Sequence, residues 1–311
     1  MDCARIARPV RKRKRLEHNG FMPKATSLRA DQSVAKPAFA GATFITTKEK
    51  LVMSQSESLD SRRPRLLQQL VGNHSVIQRL SEQVKRGTVP KRVFLFGPTG
   101  SGKTTLARIL IRHFFCQNRI GIGDPCGHCE TCRKDLGDIM EYEQWTAARL
   151  EQNWGWWEAN GRTILGRSNW AFFLDETQDL SELHQKDYYD QLESARAMVV
   201  FATTHKNAIK DAVVSRFGAN VYELRRPTID EAADRVHRQC LELKVEASRD
   251  KLIRVAEHYG CDLRKCVDFA YTAADQAPNG VVTDAFIQAI LGIEPTAESE
   301  STSRPKRLAK L

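Results

Sequence analysis

The chain has 311 residues, a formal net charge of +10 and eight cysteines. No apolar run approaches the ~20 residues of a membrane span, and no apolar stretch follows the basic N-terminus as a secretory signal requires. Clustered cysteines without such a signal point to a reducing, cytoplasmic setting, where they bind metal more often than they form disulfides. The charge is unevenly placed: residues 1–52 carry 12 Lys/Arg against 4 Asp/Glu, and the remainder carries 36 against 34. Nucleic-acid binding therefore cannot be argued from the net charge of the rest of the chain.

Residues 1–52 form a basic tail with little apolar periodicity, and Arg11-Lys12-Arg13-Lys14-Arg15 is a like-charge run of the disordered, solvated kind. Two readings stay open. The tail is a nonspecific arm for DNA or RNA, or translation begins at Met53 or Met22. Ordered sequence is expected from Arg63-Pro64. After Val71-Gly72-Asn73, a helix carries Val76, Ile77, Leu80 and Val84 on one face, and Gly87 closes it.

Val93-Phe94-Leu95-Phe96 then runs into Gly97-Pro98-Thr99-Gly100-Ser101-Gly102-Lys103-Thr104-Thr105, and a helical pattern follows through Leu106, Ile109, Leu110 and Phe114. Strand, glycine loop and helix stand in the order of a phosphate-binding loop. Backbone N–H groups of the loop and the helix start would face phosphate oxygens. Lys103 would reach the β- and γ-phosphates, and the Thr104 hydroxyl would help hold Mg2+.

Cys116, Cys126, Cys129 and Cys132 form a C-x9-C-x2-C-x2-C array directly behind that helix. Four thiolates so spaced suit tetrahedral Zn2+, and a closed set of four leaves no open position, so the role would be structural. His113 and His128 are read as non-ligands. A second strand is expected over Asp138–Tyr142. The Trp145–Trp157 stretch, with Trp154 and Trp156, is read as packing rather than as a base-stacking platform.

Ala171-Phe172-Phe173-Leu174 is a strand buried on both faces, and it ends in Asp175-Glu176. Behind a phosphate loop, Asp175 would bind Mg2+ through water and Glu176 would orient or deprotonate the attacking water. Leu183, Tyr188, Tyr189 and Leu192 suggest a helix. Met198–Ala202 is another buried strand, whose polar tip Thr203-Thr204 would sit beside the γ-phosphate. Ser215-Arg216-Phe217 follows a short helical segment, and Val221–Leu224 is a last strand. From Pro227 the pattern is helical. Thr228-x-x-Glu231 is a capping box, Gly260 closes a second helix, a third starts near Leu263-Arg264, and Thr283 or Asp284 caps a fourth.

These residues resemble the gamma/tau clamp-loader subunits of bacterial DNA polymerase III, a family of AAA+ ATPases. The match runs over roughly 61–293 and rests on Arg63-Pro64, Val71-Gly72-Asn73, the Gly97–Thr104 loop and the four-cysteine insertion. Asp175-Glu176, Ala202-Thr203-Thr204, Ser215-Arg216 and Gly260-x-x-x-Arg264 complete it. The resemblance implies that Val71 and Gly72 line the adenine pocket and that Thr203 or Thr204 is the first sensor. Arg216 would be an arginine finger acting on a neighbouring subunit, and Arg264 the second sensor. Departures from the family are Ser-Arg-Phe for Ser-Arg-Cys, Asp-Glu-Thr-Gln at the acidic motif, no Glu-Glu-Pro-Pro turn, and one extra residue between Gly260 and Arg264. No counterpart of the collar domain or of the tau extension is expected in residues 295–311.

The expected architecture is α/β. A basic tail (1–52) precedes a parallel-sheet AAA+ domain (53–226) with the zinc module at about 116–132. A small all-α lid (227–294) and a polar tail (295–311) follow. The expected activity is hydrolysis of ATP with Mg2+, coupled to a change in grip on a protein or on DNA. Implied partners are other AAA+ subunits, clamp-loader subunits or a sliding clamp, and DNA. The rival readings are a regulatory, mobile-element or defence switch ATPase, a subunit that binds nucleotide without hydrolysis, and a small-molecule kinase.

Overall fold

The computed structural model describes residues 62–118 and 124–292. Both expected tails, 1–52 and 295–311, lie outside the described residues.

In chain order, helix α1 (His74–Lys85) leads to strand β1 (Arg92–Phe96) and helix α2 (Lys103–Phe115). The cysteine segment holds a short helix, α3 (Glu130–Arg133), and precedes strand β2 (Tyr142–Thr146). Helices α4 (Ala147–Gln152) and α5 (Trp154–Gly166), strand β3 (Ala171–Asp175) and helix α6 (Glu182–Ser194) come next. Strand β4 (Met198–Thr203), helix α7 (Asp211–Ser215) and strand β5 (Val221–Glu223) complete the α/β part. Four helices follow: α8 (Ile229–Glu242), α9 (Arg249–His258), α10 (Leu263–Gln276) and α11 (Asp284–Leu291).

All five strands are parallel, in the order β2-β3-β4-β1-β5. Parallel strands covered on both faces need apolar side chains in both directions. The two faces sort by alternation. Val93, Leu95, Phe173 and Val200 pack with Leu106, Ile109 and Leu110 of α2 on one side. Phe94, Phe172, Leu174, Val199 and Phe201 pack with Trp157, Tyr188, Leu192 and Phe217 on the other. The sheet order has a direct consequence for chemistry. Strand β4 lies between β1 and β3, with Phe96 beside Thr203 and Leu174 beside Phe201. The glycine loop, the β4 tip and Asp175-Glu176 therefore emerge side by side at the carboxyl edge of the sheet, where ligands of open α/β sheets bind.

Two expectations need correction. The second strand is Tyr142–Thr146, not Asp138–Tyr142, and residues 136–138 form a 3-10 turn with Met140 86% exposed. At the sheet edge β2 is covered less completely, so Glu143 and Gln144 are tolerated and the strand reads as polar. Leu183 is 68% exposed and does not belong to the buried face of α6. That face is Gln185, Tyr188 and Leu192, the i, i+3, i+7 spacing of a helix stripe.

The tryptophan stretch divides. Trp157 is fully buried, stacks on Tyr188 at 5.3 Å and donates its Nε1–H to Gln191 Oε1 at 3.0 Å. Trp145 is buried, whereas Trp156 is 47% exposed and stacks on Trp145 at 5.2 Å.

After Pro227 the helices bury a core of their own. Ala232, Val236 and Cys240 of α8 pack with Leu252 and Val255 of α9, Phe269 of α10 and Ile287 of α11. The capping box forms: the Thr228 hydroxyl accepts from Glu231 N, and Glu231 accepts from Thr228 N. Such a cap contributes on the order of 1 kcal/mol. Thr283 caps α11 by accepting from Phe286 N at 3.1 Å.

Candidate nucleotide site and cysteine centre

The glycine loop bends through positive φ at Gly97, Gly100 and Gly102. Two of these positions also leave no room for a side chain. A Cβ at Gly97 would collide with the Leu224 carbonyl, and one at Gly100 with the Asp262 carboxylate. The loop thus has walls on both sides, from the end of β5 and from the start of α10. Lys103 folds back across it, and its Nζ donates to the carbonyls of Gly97 (2.8 Å) and Pro98 (3.0 Å). Burial lowers the Lys103 pKa, opposed by the nearby carboxylates of Glu176 and Asp175. Ser101 Oγ is buried and has no hydrogen-bond partner among the described residues. A buried hydroxyl without a partner is costly in a closed protein, and phosphate oxygens would supply the missing acceptor.

Thr104 Oγ1 donates to Asp175 Oδ2 at 2.9 Å. This contact joins two groups that lie 71 residues apart in sequence, at the tips of adjacent layers. Burial raises the Asp175 pKa, and the Thr104 hydrogen bond works against it. A hydroxyl and a partly buried carboxylate so paired are hard oxygen donors of the kind Mg2+ takes. Glu176 follows in the left-handed conformation (φ 53, ψ 45).

A cleft opens beside the loop. Val71, Thr99–Thr105, Glu176 and Arg264 line it, and Leu70, Ile77, Leu224, Leu263 and Val267 supply its apolar end. An adjoining depression brings Thr104, Asp175 and Arg264 together with Arg63, Arg108 and Arg149. Gly72 lies behind Val71 rather than on the cleft wall, and a Cβ there would press on Pro227 at 3.3 Å. Thr203 is fully buried and Thr204 pairs with His205 Nδ1 at 2.9 Å, and neither lines the cleft. Arg216 lies apart from the cleft, with its Nη2 3.4 Å from Glu193 Oε2.

Several further residues hold this site in place. Asn73 pairs both ends of its amide with the Arg225 backbone, donating to the carbonyl at 2.9 Å and accepting from the N–H at 2.8 Å. Arg226 donates to the Thr99 carbonyl and to the Gly260 carbonyl, each at 3.1 Å, and so ties the glycine loop to the turn between α9 and α10. Asp262 is buried against Gly100 and caps α10 by accepting from Arg264 N at 3.0 Å. Two successive left-handed residues, Gly260 and Cys261, lead into Asp262. Gln178 bridges Glu176 and the β4 tip. The supporting role of each depends on a contact to backbone or across a long separation, which the sequence does not display.

The four cysteines converge. Their sulfurs all lie within 4.8 Å of one another, and those of Cys126 and Cys132 are 3.9 Å apart. A tetrahedron with Zn–S of about 2.3 Å has edges of about 3.8 Å, so the donor set fits zinc. Backbone N–H groups point at two of the sulfurs, Cys126 N to Cys116 Sγ at 3.4 Å and Cys129 N to Cys126 Sγ at 3.3 Å. Such donors stabilise thiolate. His113 is buried outside the cluster, and His128 turns its Nδ1 to the Cys126 carbonyl at 2.7 Å. The buried Arg112 of α2 donates to the carbonyls of Cys132 (2.9 Å) and Lys134 (2.8 Å), which fastens this module to the phosphate-loop helix.

Residues 72–145 match the family model described as DNA polymerase III, delta subunit. DNA polymerase III subunit gamma of Buchnera aphidicola is 26% identical over 160 residues, covering 50% of this chain and 44% of that protein. Subunit tau of Escherichia coli is 26% identical over 168 residues, covering 50% and 25%. Protein STICHEL-like 2 of Arabidopsis thaliana is 30% identical over 105 residues, covering 32% and 12%. The chain thus spans less than half the length of these relatives. By fold it is similar to the Thermotoga maritima RuvB Holliday junction branch migration motor, with a TM-score of 0.57 at 20% identity over 74% of this chain and 72% of that one. Domain III of the Thermotoga maritima replication initiation protein DnaA gives a TM-score of 0.53 at 17% identity, covering 74% and 97%. With its parallel sheet, glycine loop, cysteine cluster and C-terminal helices, the chain is similar in sequence to DNA polymerase III gamma and tau subunits and similar in fold to RuvB and to DnaA domain III.

Proposed function

We propose that the chain binds ATP with Mg2+ and hydrolyses it by in-line attack of water, and that nucleotide state moves the helical lid to change a grip on protein or DNA during replication or a related DNA transaction. The observation that carries this reading is the 2.9 Å contact between Thr104 and Asp175, set between the Lys103 loop and Glu176. Phosphates would enter the Gly97–Thr105 loop, satisfy Ser101, and draw Lys103 Nζ away from the Gly97 and Pro98 carbonyls. Thr104 and Asp175 would hold Mg2+, which supplies charge neutralisation at the β- and γ-oxygens. Glu176 would orient the attacking water and take its proton. Val71 and the apolar end of the cleft would receive the adenine, with Gly72 shaping the turn behind it.

Thr203 or Thr204 would be the γ-phosphate sensor and Arg264 the lid sensor. Arg216, which stands away from the cleft, is assigned to the nucleotide of a neighbouring AAA+ subunit. Cys116, Cys126, Cys129 and Cys132 would hold one structural Zn2+. Clamp-loader subunits, a sliding clamp and DNA are the proposed partners, and the cytoplasm the proposed setting. The proposed boundary between nucleotide domain and lid is 226/227, shortly before Thr228 caps α8.

ATP turnover of wild type and Lys103→Ala, each with and without primed DNA, tests this reading. Wild-type turnover that Lys103→Ala abolishes and primed DNA accelerates supports it. No wild-type turnover above the Lys103→Ala background contradicts it. Turnover indifferent to DNA leaves the ATPase and removes the DNA coupling.

A further inference from the structure

We propose that Gln178 is a positioning residue for the hydrolytic step, linking Glu176 to the tip of β4 through one side-chain amide. This inference rests on the ATPase reading above. Gln178 Nε2 donates to Glu176 Oε2 at 2.6 Å. Its Oε1 accepts from the Thr203 hydroxyl at 2.7 Å and from Thr204 N at 3.2 Å. The orientation of this amide is fixed by chemistry. A backbone N–H only donates and an ionised carboxylate only accepts, so the amide nitrogen must face Glu176 and its oxygen the β4 tip.

Three features show that the bridge is built into the fold. The 3-10 turn Thr177–Asp179 that carries Gln178 is pinned to β4, because the buried Thr177 hydroxyl donates to the Ala202 carbonyl at 3.1 Å. Thr203 is fully buried, and its hydroxyl sits between Gln178 Oε1, its shortest contact at 2.7 Å, and the His205 backbone, whose N–H donates to it at 3.1 Å and whose carbonyl lies at 3.2 Å. Glu176 sits at φ 53, a left-handed conformation that persists in a non-glycine residue only where its surroundings hold it. Gln178 occupies one carboxylate oxygen of Glu176 and leaves the other for water. A displacement of Thr203-Thr204 would pass through the planar amide to the Glu176 carboxylate.

The test measures kcat for ATP and the ATP dissociation constant by calorimetric titration, for wild type, Gln178→Met and Gln178→His. Methionine keeps the length and removes all three hydrogen bonds. Neutral histidine keeps one donor and one acceptor on opposite edges of its ring. We expect Gln178→Met to lower kcat at least about 10-fold while the ATP dissociation constant stays within about threefold, a loss confined to the transition state. Gln178→His should recover kcat to within about threefold of wild type, because the donor and acceptor are restored.

Thermal unfolding within about 3 °C of wild type would show that the variants are folded. If Gln178→Met instead keeps kcat within about twofold, or loses affinity in step with kcat, the positioning role is overturned while the ATPase stands. An equally slow Gln178→His overturns it too. No wild-type turnover above Lys103→Ala removes the ATPase reading, and this inference with it.

Discussion

Gly100→Ala probes the contact between the glycine loop and the start of α10. Gly100 has φ +80, and its missing Cβ is replaced in space by the Asp262 carboxylate. Alanine in the left-handed region costs about 1–2 kcal/mol. The new methyl must also displace Asp262, which caps α10 through Arg264 N and Lys265 N, and a lost N-cap costs about 1 kcal/mol. The expected destabilisation of Gly100→Ala is therefore about 2–3 kcal/mol. Asp262→Ala alone should cost about 1 kcal/mol, the cap without the backbone strain.

Because the single variants lose the same cap, the double variant should also lose only about 2–3 kcal/mol, less than the sum of the two. Urea unfolding followed by fluorescence reads the α/β part, since the five tryptophans, Trp145, Trp154, Trp156, Trp157 and Trp170, all precede β3. A Gly100→Ala loss below about 0.5 kcal/mol, or strict additivity in the double variant, would refute the packing of Asp262 on the loop.

Asp175→Asn should stabilise the nucleotide-free protein while abolishing turnover. Burial raises the Asp175 pKa, so the folded state binds the proton more tightly than the unfolded chain and bears a cost for the charged form above that raised pKa. The amide removes the charge and keeps an acceptor for Thr104, and a higher apo Tm with loss of Mg2+-dependent stabilisation by ATP is expected in differential scanning calorimetry. The same linkage predicts that wild-type stability gains a contribution from this site as pH falls from the raised pKa toward the ordinary carboxylate value, and that Asp175→Asn lacks it. Cys132→Ser should release zinc, measured by colorimetric metal assay after unfolding, and cost more than about 2 kcal/mol. Full zinc content in that variant would contradict the four-sulfur site. Gly161→Ala should destabilise despite alanine's better helix propensity, because its Cβ would lie 2.6 Å from the buried Trp157 ring. Overpacking of this kind costs about 1–3 kcal/mol, and an unchanged urea midpoint would show that Trp157 has room to move.

Chemistry that sits in contiguous residues could be read from the sequence alone. The Gly97–Thr105 loop, Asp175-Glu176 after a buried strand, and the cysteine spacing each announce themselves because neighbours in sequence are neighbours in the site. The apolar strands β1, β3 and β4 were readable for the same reason, since burial on both faces forbids polar residues within them. Strand β2 was not, because an edge strand tolerates Tyr142-Glu143-Gln144, and Ile139-Met140 just before it mimics a strand start. The supports of the site were also hidden. Arg226 acts on two carbonyls 127 and 34 residues away, and carbonyls have no sequence identity. Asp262 lies in the lengthened Gly260–Arg264 step, and only the fold places it against Gly100. Gln178 was visible as a departure in Asp-Glu-Thr-Gln, but its meaning depends on β4 lying next to β3.

The reading of this chain as a hydrolytic AAA+ protein stands or falls on Glu176. MgATP binding by calorimetric titration, together with phosphate release, should be measured for wild type and Glu176→Gln in the same buffer. The variant should bind MgATP within about threefold of wild type, because no phosphate contact is lost, and its turnover should fall at least about 100-fold, because the water loses its base. A Glu176→Gln variant that releases phosphate at the wild-type rate, or a wild-type chain that binds no MgATP, would contradict it.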